Sequence, residues 1–108
     1  MGNRKNITLL KDESLALQPG STRWCETGGY INSVYASLAE GSTSGTVDVY
    51  VANSSVGPGV KIGSFALTSS KLADGFSLPK EDSGWFFIRA ELTAINGTLK
   101  VASACVGE

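Results

Sequence analysis

Short apolar runs, each broken by glycine, proline or serine, set the terms for how this chain can fold. Thirteen glycines are spread along 108 residues rather than gathered in one linker. Between them lie segments rich in Val, Ile, Tyr, Phe and Thr. No segment keeps apolar residues at i, i+3, i+4 and i+7 long enough to argue a helix. Strands are expected near Ile7–Leu10, Ser14–Leu17, Tyr30–Leu38, Thr46–Asn53, Val60–Thr68, Gly75–Leu78, Trp85–Ile95 and Thr98–Val106. Ser69–Phe76 has room for one short turn. This spacing predicts an all-β domain, an antiparallel two-sheet β-sandwich of jelly-roll or immunoglobulin-like type with about 7–9 strands. Residues 1–20 read as an N-terminal arm or strand segment that ends at Pro19-Gly20, and residues 21–108 as the sandwich.

The stretch Ala90–Cys105 is the most explicit. At its centre Asn96-Gly97 suits a type I′ turn, in which both central residues take positive φ. Ile95 would then face Thr98, followed by Ala94 with Leu99, Leu92 with Val101, Ala90 with Ser103 and Ile88 with Cys105. One face of this hairpin would carry Phe86, Ile88, Ala90, Leu92, Ala94, Leu99, Val101, Ser103 and Cys105. The wet face would carry Arg89, Glu91, Thr93, Thr98 and Lys100, with Phe87 and Ile95 as apolar exceptions. In Thr46–Asn53, Val47, Val49 and Val51 point to the core while Asp48 and Tyr50 point away. Val60 and Ile62 share one parity and Phe65 and Leu67 the other, so a bulge or bend is expected at Gly63-Ser64.

Chemistry is short of parts. The chain has no His, so it lacks the usual base near neutral pH and the commonest transition-metal ligand. Cys25 and Cys105 are too few for a structural zinc site. They are expected to stay unpaired, with Cys105 in the core. The acids Glu26, Glu40, Asp48, Asp74, Glu81, Asp82 and Glu91 are scattered without a calcium-loop pattern. The stretch Ser55–Ser64 holds glycines and a lysine but lacks a phosphate-loop signature. The expectation is no enzyme, no cofactor and no metal.

The net charge of −1 argues against nucleic acid as a partner. No apolar stretch is long enough to span a membrane. The N-terminus has no signal-peptide pattern, and Asn6 stands where a myristoylation signal has Ser or Thr. A cytosolic origin is expected, which disfavours glycosylation at Asn6, Asn53 or Asn96. The basic cluster Arg4, Lys5 and Lys11 reads as a solvated arm or as a contact for an acidic partner. Trp24, Tyr35, Tyr50, Trp85 and Phe87 include more large rings than a small core needs. Tyr50 and Phe87 should point outward, either to meet a partner or ligand, or to lie beneath loops or the N-terminal segment. The candidate interface is therefore Trp24, Tyr35, Tyr50, Trp85, Phe87, Arg4 and Lys5.

The second half has a further property. Val47, Val49 and Val51, then Gly63, Phe65 and Leu67, then Trp85, Phe87, Ile88, Arg89 and Ala90, and finally Ala94, Gly97 and Gly107 form a pattern. Over about residues 45–107 it resembles small β-sandwich virion proteins of tailed bacteriophages. The resemblance implies a structural role as a capsid decoration or cement protein that binds the major capsid protein lattice. It also implies a homo-oligomer, dimer or trimer, on the capsid surface of a virion assembled in the host cytoplasm. The rival readings are a carbohydrate-binding β-sandwich module, with the aromatics as a stacking platform, and a tail or head–tail accessory protein.

Overall fold

The computed structural model of the chain describes residues 4–18, 20–56 and 58–107. Its strands are β1 (Arg4–Glu13), β2 (Cys25–Glu26), β3 (Tyr30–Leu38), β4 (Ser44–Ala52), β5 (Val60–Thr68), β6 (Ala73–Ser77), β7 (Phe87–Asn96) and β8 (Leu99–Gly107). One 3-10 turn spans Lys80–Asp82. The strands form two four-stranded sheets, ordered β1-β8-β3-β6 and β2-β7-β4-β5. Every pairing is antiparallel: β1 with β8, β2 with β7, β3 with β6 and β4 with β5. These four pairs are nested one inside the next, so the chain is a long two-armed ribbon with the β4–β5 hairpin at its tip. The ribbon wraps on itself, and the contacts of β8 with β3 and of β7 with β4 complete the sheets. This is a jelly roll, the all-β sandwich expected from the turn spacing.

The interior is made by the inward positions of both sheets. Val47, Val49 and Val51 of β4 face Ile31, Val34, Ala36 and Leu38 of β3, with Phe65, Leu67, Ile88, Ala90, Leu92 and Leu99 filling the layer. Register slips set which residues take part. Between Thr8↔Ser103 and Leu10↔Ala102 the β1 pairing slips by one residue, and Leu9 and Leu10 are both buried. The N-terminal segment is thus an edge strand whose leucines belong to the common core. Ser14–Leu17 is not a strand; in its place a single bond from the Leu17 N–H to the Leu92 carbonyl (2.9 Å) caps the edge of β7 beyond two-residue β2. In β5 the extra residue is Ile62, beside the expected switch at Gly63-Ser64.

The hairpin expected around Asn96-Gly97 does not form. β7 and β8 lie in different sheets, and Gly97 takes a positive φ of 123° while Asn96 does not. The nested pairing is the reason: β7 is held by β2 and β4, while β8 fills the gap between β1 and β3. The link between β3 and β4 enters the turn. The Ser42 hydroxyl accepts from the Thr98 N–H (2.9 Å) and donates to the Thr98 carbonyl (3.1 Å). The faces change with it. Lys100 is an extra residue between Leu38↔Leu99 and Ser37↔Val101, so Ala102, Ala104 and Val106 turn inward after Leu99. Val101, Ser103 and Cys105 are only half-buried, contrary to the expected core face. A second slip, at Thr93, leaves Ala94 exposed and packs Ile95 against the core. Phe86 precedes β7 and is 65% exposed rather than interior. Both cysteines are free thiols; burial raises the pKa of the Cys25 thiol against the opposing effect of Arg23.

A Cβ on Gly97 would stand 2.6 Å from the Ser42 Cα in a backbone conformation that L-residues resist. Gly97→Val is expected to lower stability by about 2 kcal/mol or more, combining left-handed strain with displacement of the Ser42 clip. Urea denaturation of the two proteins measures it.

Candidate functional site

The outer face of the β2-β7-β4-β5 sheet carries an unusual set of side chains. In the β4–β7 register Tyr50 stands opposite Arg89, and Asp48 opposite Glu91. Asp48 accepts from the Ser64 hydroxyl (2.7 Å) and pairs with Lys61 (3.5 Å). On β7, Arg89 and Glu91 are two residues apart and share this face. The Arg89 Nη1 donates to Glu91 Oε2 at 2.6 Å, and Glu91 Oε1 accepts from the Gly20 N–H at 2.7 Å. Although both point away from the core, Arg89 is only 6% and Glu91 4% exposed. They were expected on a wet face. The segment from Gly20 to Trp24 folds back over them and makes a buried ion pair of two surface-parity residues.

The guanidinium is also stacked. Its central carbon lies 4.8 Å from the Trp24 ring centre and 4.6 Å from that of Tyr50. A cation held at such distances from aromatic rings is attracted by their quadrupoles. Trp24 is set from its other neighbour by Gly59, where φ is +73° and a Cβ would come within 2.5 Å of the indole. The Arg89 Nη2 reaches the Pro58 carbonyl at 3.4 Å. Two connections, one before β2 and one between β4 and β5, are thereby tied to the sheet through one side chain. Between them is a groove of about 830 Å³ bordered by Ser21, Thr22, Trp24, Tyr50, Ser55 and Arg89. A second hollow of about 790 Å³ lies across the Ser21–Trp24 segment, toward Leu10, Cys25 and Phe87.

A separate apolar surface occupies one end of the sandwich. Tyr30 is 43% and Phe86 65% exposed, and with Trp85 and three glycines they line a hollow of about 390 Å³. The backbone beneath is closely tied. Buried Thr27 donates its hydroxyl to the Trp85 carbonyl (2.7 Å), and its N–H reaches the Phe86 carbonyl (2.9 Å). The Trp85 indole donates to the Asp82 carbonyl (3.0 Å).

Of the expected interface residues, the fold brings Trp24 and Tyr50 together over Arg89. Phe87 lies outward on β7 as expected, half-buried beside the second hollow. Trp85 packs partly against the core. Tyr35 is apart from all of these, 46% exposed on β3 in the other sheet. Lys5 is exposed on β1 and its ammonium lies beside Gly28. Arg4 opens β1 opposite Gly107, and its side chain falls outside the described part. Sequence reasoning missed Arg89, Glu91, Thr22, Tyr30 and Phe86. The available signal for Arg89 and Glu91 was their shared parity with Tyr50, which gains meaning only once β4 is known to pair with β7.

No protein-family model matches the chain, and no curated protein matches it. Among solved structures, the SPBc2 prophage-derived protein YomS is similar in fold, with a TM-score of 0.64 at 15% sequence identity. The likeness covers 100% of this chain and 96% of that one.

Removing one member of the buried pair leaves the other charge without its partner. Arg89→Met or Glu91→Leu alone should cost about 3–5 kcal/mol. The double variant should recover much of the loss, since two apolar side chains then replace two desolvated charges. A double-mutant cycle by urea denaturation reads both numbers.

Proposed function

We propose that this chain is a non-enzymatic structural protein of a bacteriophage virion. In this reading it is a capsid decoration or cement protein that docks on the major capsid protein lattice and stabilises the head. The observation that carries it is the likeness in fold to a prophage-derived protein, over 100% of this chain and 96% of that one. The resemblance of residues 45–107 to small phage virion proteins points the same way. The surface best suited to docking is the apolar end around Tyr30 and Phe86, where large rings are exposed on a tied backbone. Contacts with a shell need not be individually strong, because a dimer or trimer engages repeated lattice sites with avidity. The net charge of −1 gives the chain no overall positive excess to draw it to nucleic acid. Its place is then the capsid surface of a virion assembled in the host cytoplasm.

The test mixes purified protein with capsids of its own phage that lack it, then sediments them. The wild-type protein should co-sediment and raise the temperature at which the shells open. Phe86→Asp should abolish co-sedimentation while its unfolding free energy stays within about 1 kcal/mol of wild type, because the side chain is exposed. Wild-type protein left wholly in the supernatant would overturn the decoration reading.

A further inference from the structure

We infer that a second copy of this chain packs on the outer face of the β1-β8-β3-β6 sheet, the two copies joined sheet to sheet about a two-fold axis. This is a different surface from the shell-docking end, and the inference stands whether or not the chain binds a shell.

The register defines the face. Val34, Ala36, Ala102 and Ala104 point into the core, so the residues alternating with them point away. Three outward rows cross all four strands. The middle one reads Thr8, Ser103, Tyr35, Gly75, and it lies between a row from Asn6 to Ser77 and a row from Lys11 to Ala73. The single charge in these rows is Lys11, on the outermost strand. The outer face of the other sheet, by contrast, carries Asp48, Lys61, Arg89 and Glu91. Depletion of charge around a central aromatic residue is the compositional mark of an interface core.

The make-up of the face selects its partner. Its polar groups are mainly the hydroxyls of serine and threonine, and a hydroxyl both donates and accepts. An identical face can therefore match it. A charged surface would bury ions without partners, and a purely apolar one would leave the hydroxyls unpaired. Shape agrees with this. Tyr35 is the one large side chain in the three rows, 46% exposed, with Ser103 on one side and Gly75 on the other. A two-fold axis along the strands, between β8 and β3, sets the middle row over its own reverse. Each Tyr35 then meets Ser103 of the second copy, and each Thr8 meets its Gly75. Lys11 falls at the rim, where it stays in water. At about 3.3 Å per residue and 4.8 Å between strands, the four strands present roughly 500 Å² per copy, or about 1,000 Å² for the pair. That is the size at which specific interfaces begin, so the dimer is weak and concentration-dependent.

Sedimentation equilibrium of the full chain from about 10 µM to about 1 mM tests this, with an expected dimer Kd of about 100 µM. The mass should rise toward twice that of the monomer and no further. Tyr35→Glu and Thr8→Glu each place a charge in the face and should weaken the dimer about 10-fold or more. Both side chains are exposed, and circular dichroism of each variant should match wild type. Phe86→Asp, at the shell-docking end, should dimerise as wild type does. The proposal is overturned if the wild-type chain is monomeric at about 1 mM, if it forms trimers, or if folded Tyr35→Glu and Thr8→Glu both dimerise unchanged. Loss of the dimer in Phe86→Asp alone would also overturn it, by placing the contact at the apolar end. None of these outcomes decides whether the protein sediments with capsids.

Discussion

Nested antiparallel pairing is the constraint on which the other features of this molecule rest. Only the β4–β5 hairpin joins neighbours in sequence; each later pair closes a longer stretch of chain, until β1 meets β8 across nearly its full length. Closing those loops costs chain entropy that is offset only when the two sheets meet and bury their shared face. The outer pairs therefore gain their stability from the inner ones. The Asn96-Gly97 turn shows how this overrides local preference. Its sequence suits a tight hairpin, but β7 and β8 have partners elsewhere, and the turn instead carries the chain from one sheet to the other around Ser42.

The β4–β7 contact that completes one sheet places Arg89 opposite Tyr50, and from there a second level of organisation follows. A buried ion pair is a weak source of net stability, because desolvating two charges consumes most of their attraction. Its effect here is positional. Arg89 engages the Glu91 carboxylate, two aromatic rings and the Pro58 carbonyl. Glu91 adds the Gly20 N–H. The Gly20–Trp24 segment and Pro58 thus take defined positions on a sheet. An apolar pair of similar volume would fill the space without directing either connection.

Much of the architecture was legible from residue patterns, and the failures share one physical origin. The alternation of Val47, Val49 and Val51 against Asp48 and Tyr50 is local, and it holds. So does the parity switch in β5, because its cause, one extra residue at Ile62, is also local. The interior positions Ile88, Ala90 and Leu92 were legible for the same reason. What was not legible is whatever a distant strand decides. The slip at Lys100 that turns Cys105 outward is set by pairing with β3, and two-residue β2 exists only because β7 offers it an edge. Likewise the outward direction of Tyr50 and Phe87 could be read, but not that Trp24 would fold over Arg89. Phe86 misled because its parity matches Ile88, although the strand begins one residue after it.

The exposed rings at the end of the sandwich are held in a different way from those in the groove. Tyr30 is the first residue of β3 and pairs with Gly107, which also pairs with Arg4, so three strands meet beneath it. The Ile31 N–H donates to the Ser83 carbonyl (2.9 Å), and the Ser83 hydroxyl donates to the Lys80 carbonyl (2.7 Å). Thr27 joins this network through the Trp85 and Gly29 carbonyls. Both Thr27 and Ser83 are buried, so their bonds are shielded from competing water. The apolar rings thus project from a backbone that local polar contacts have already ordered. A surface of this kind would lose less conformational entropy on being covered than a mobile loop would. Tyr30 and Phe86 are exposed hydrophobes on a preorganised support.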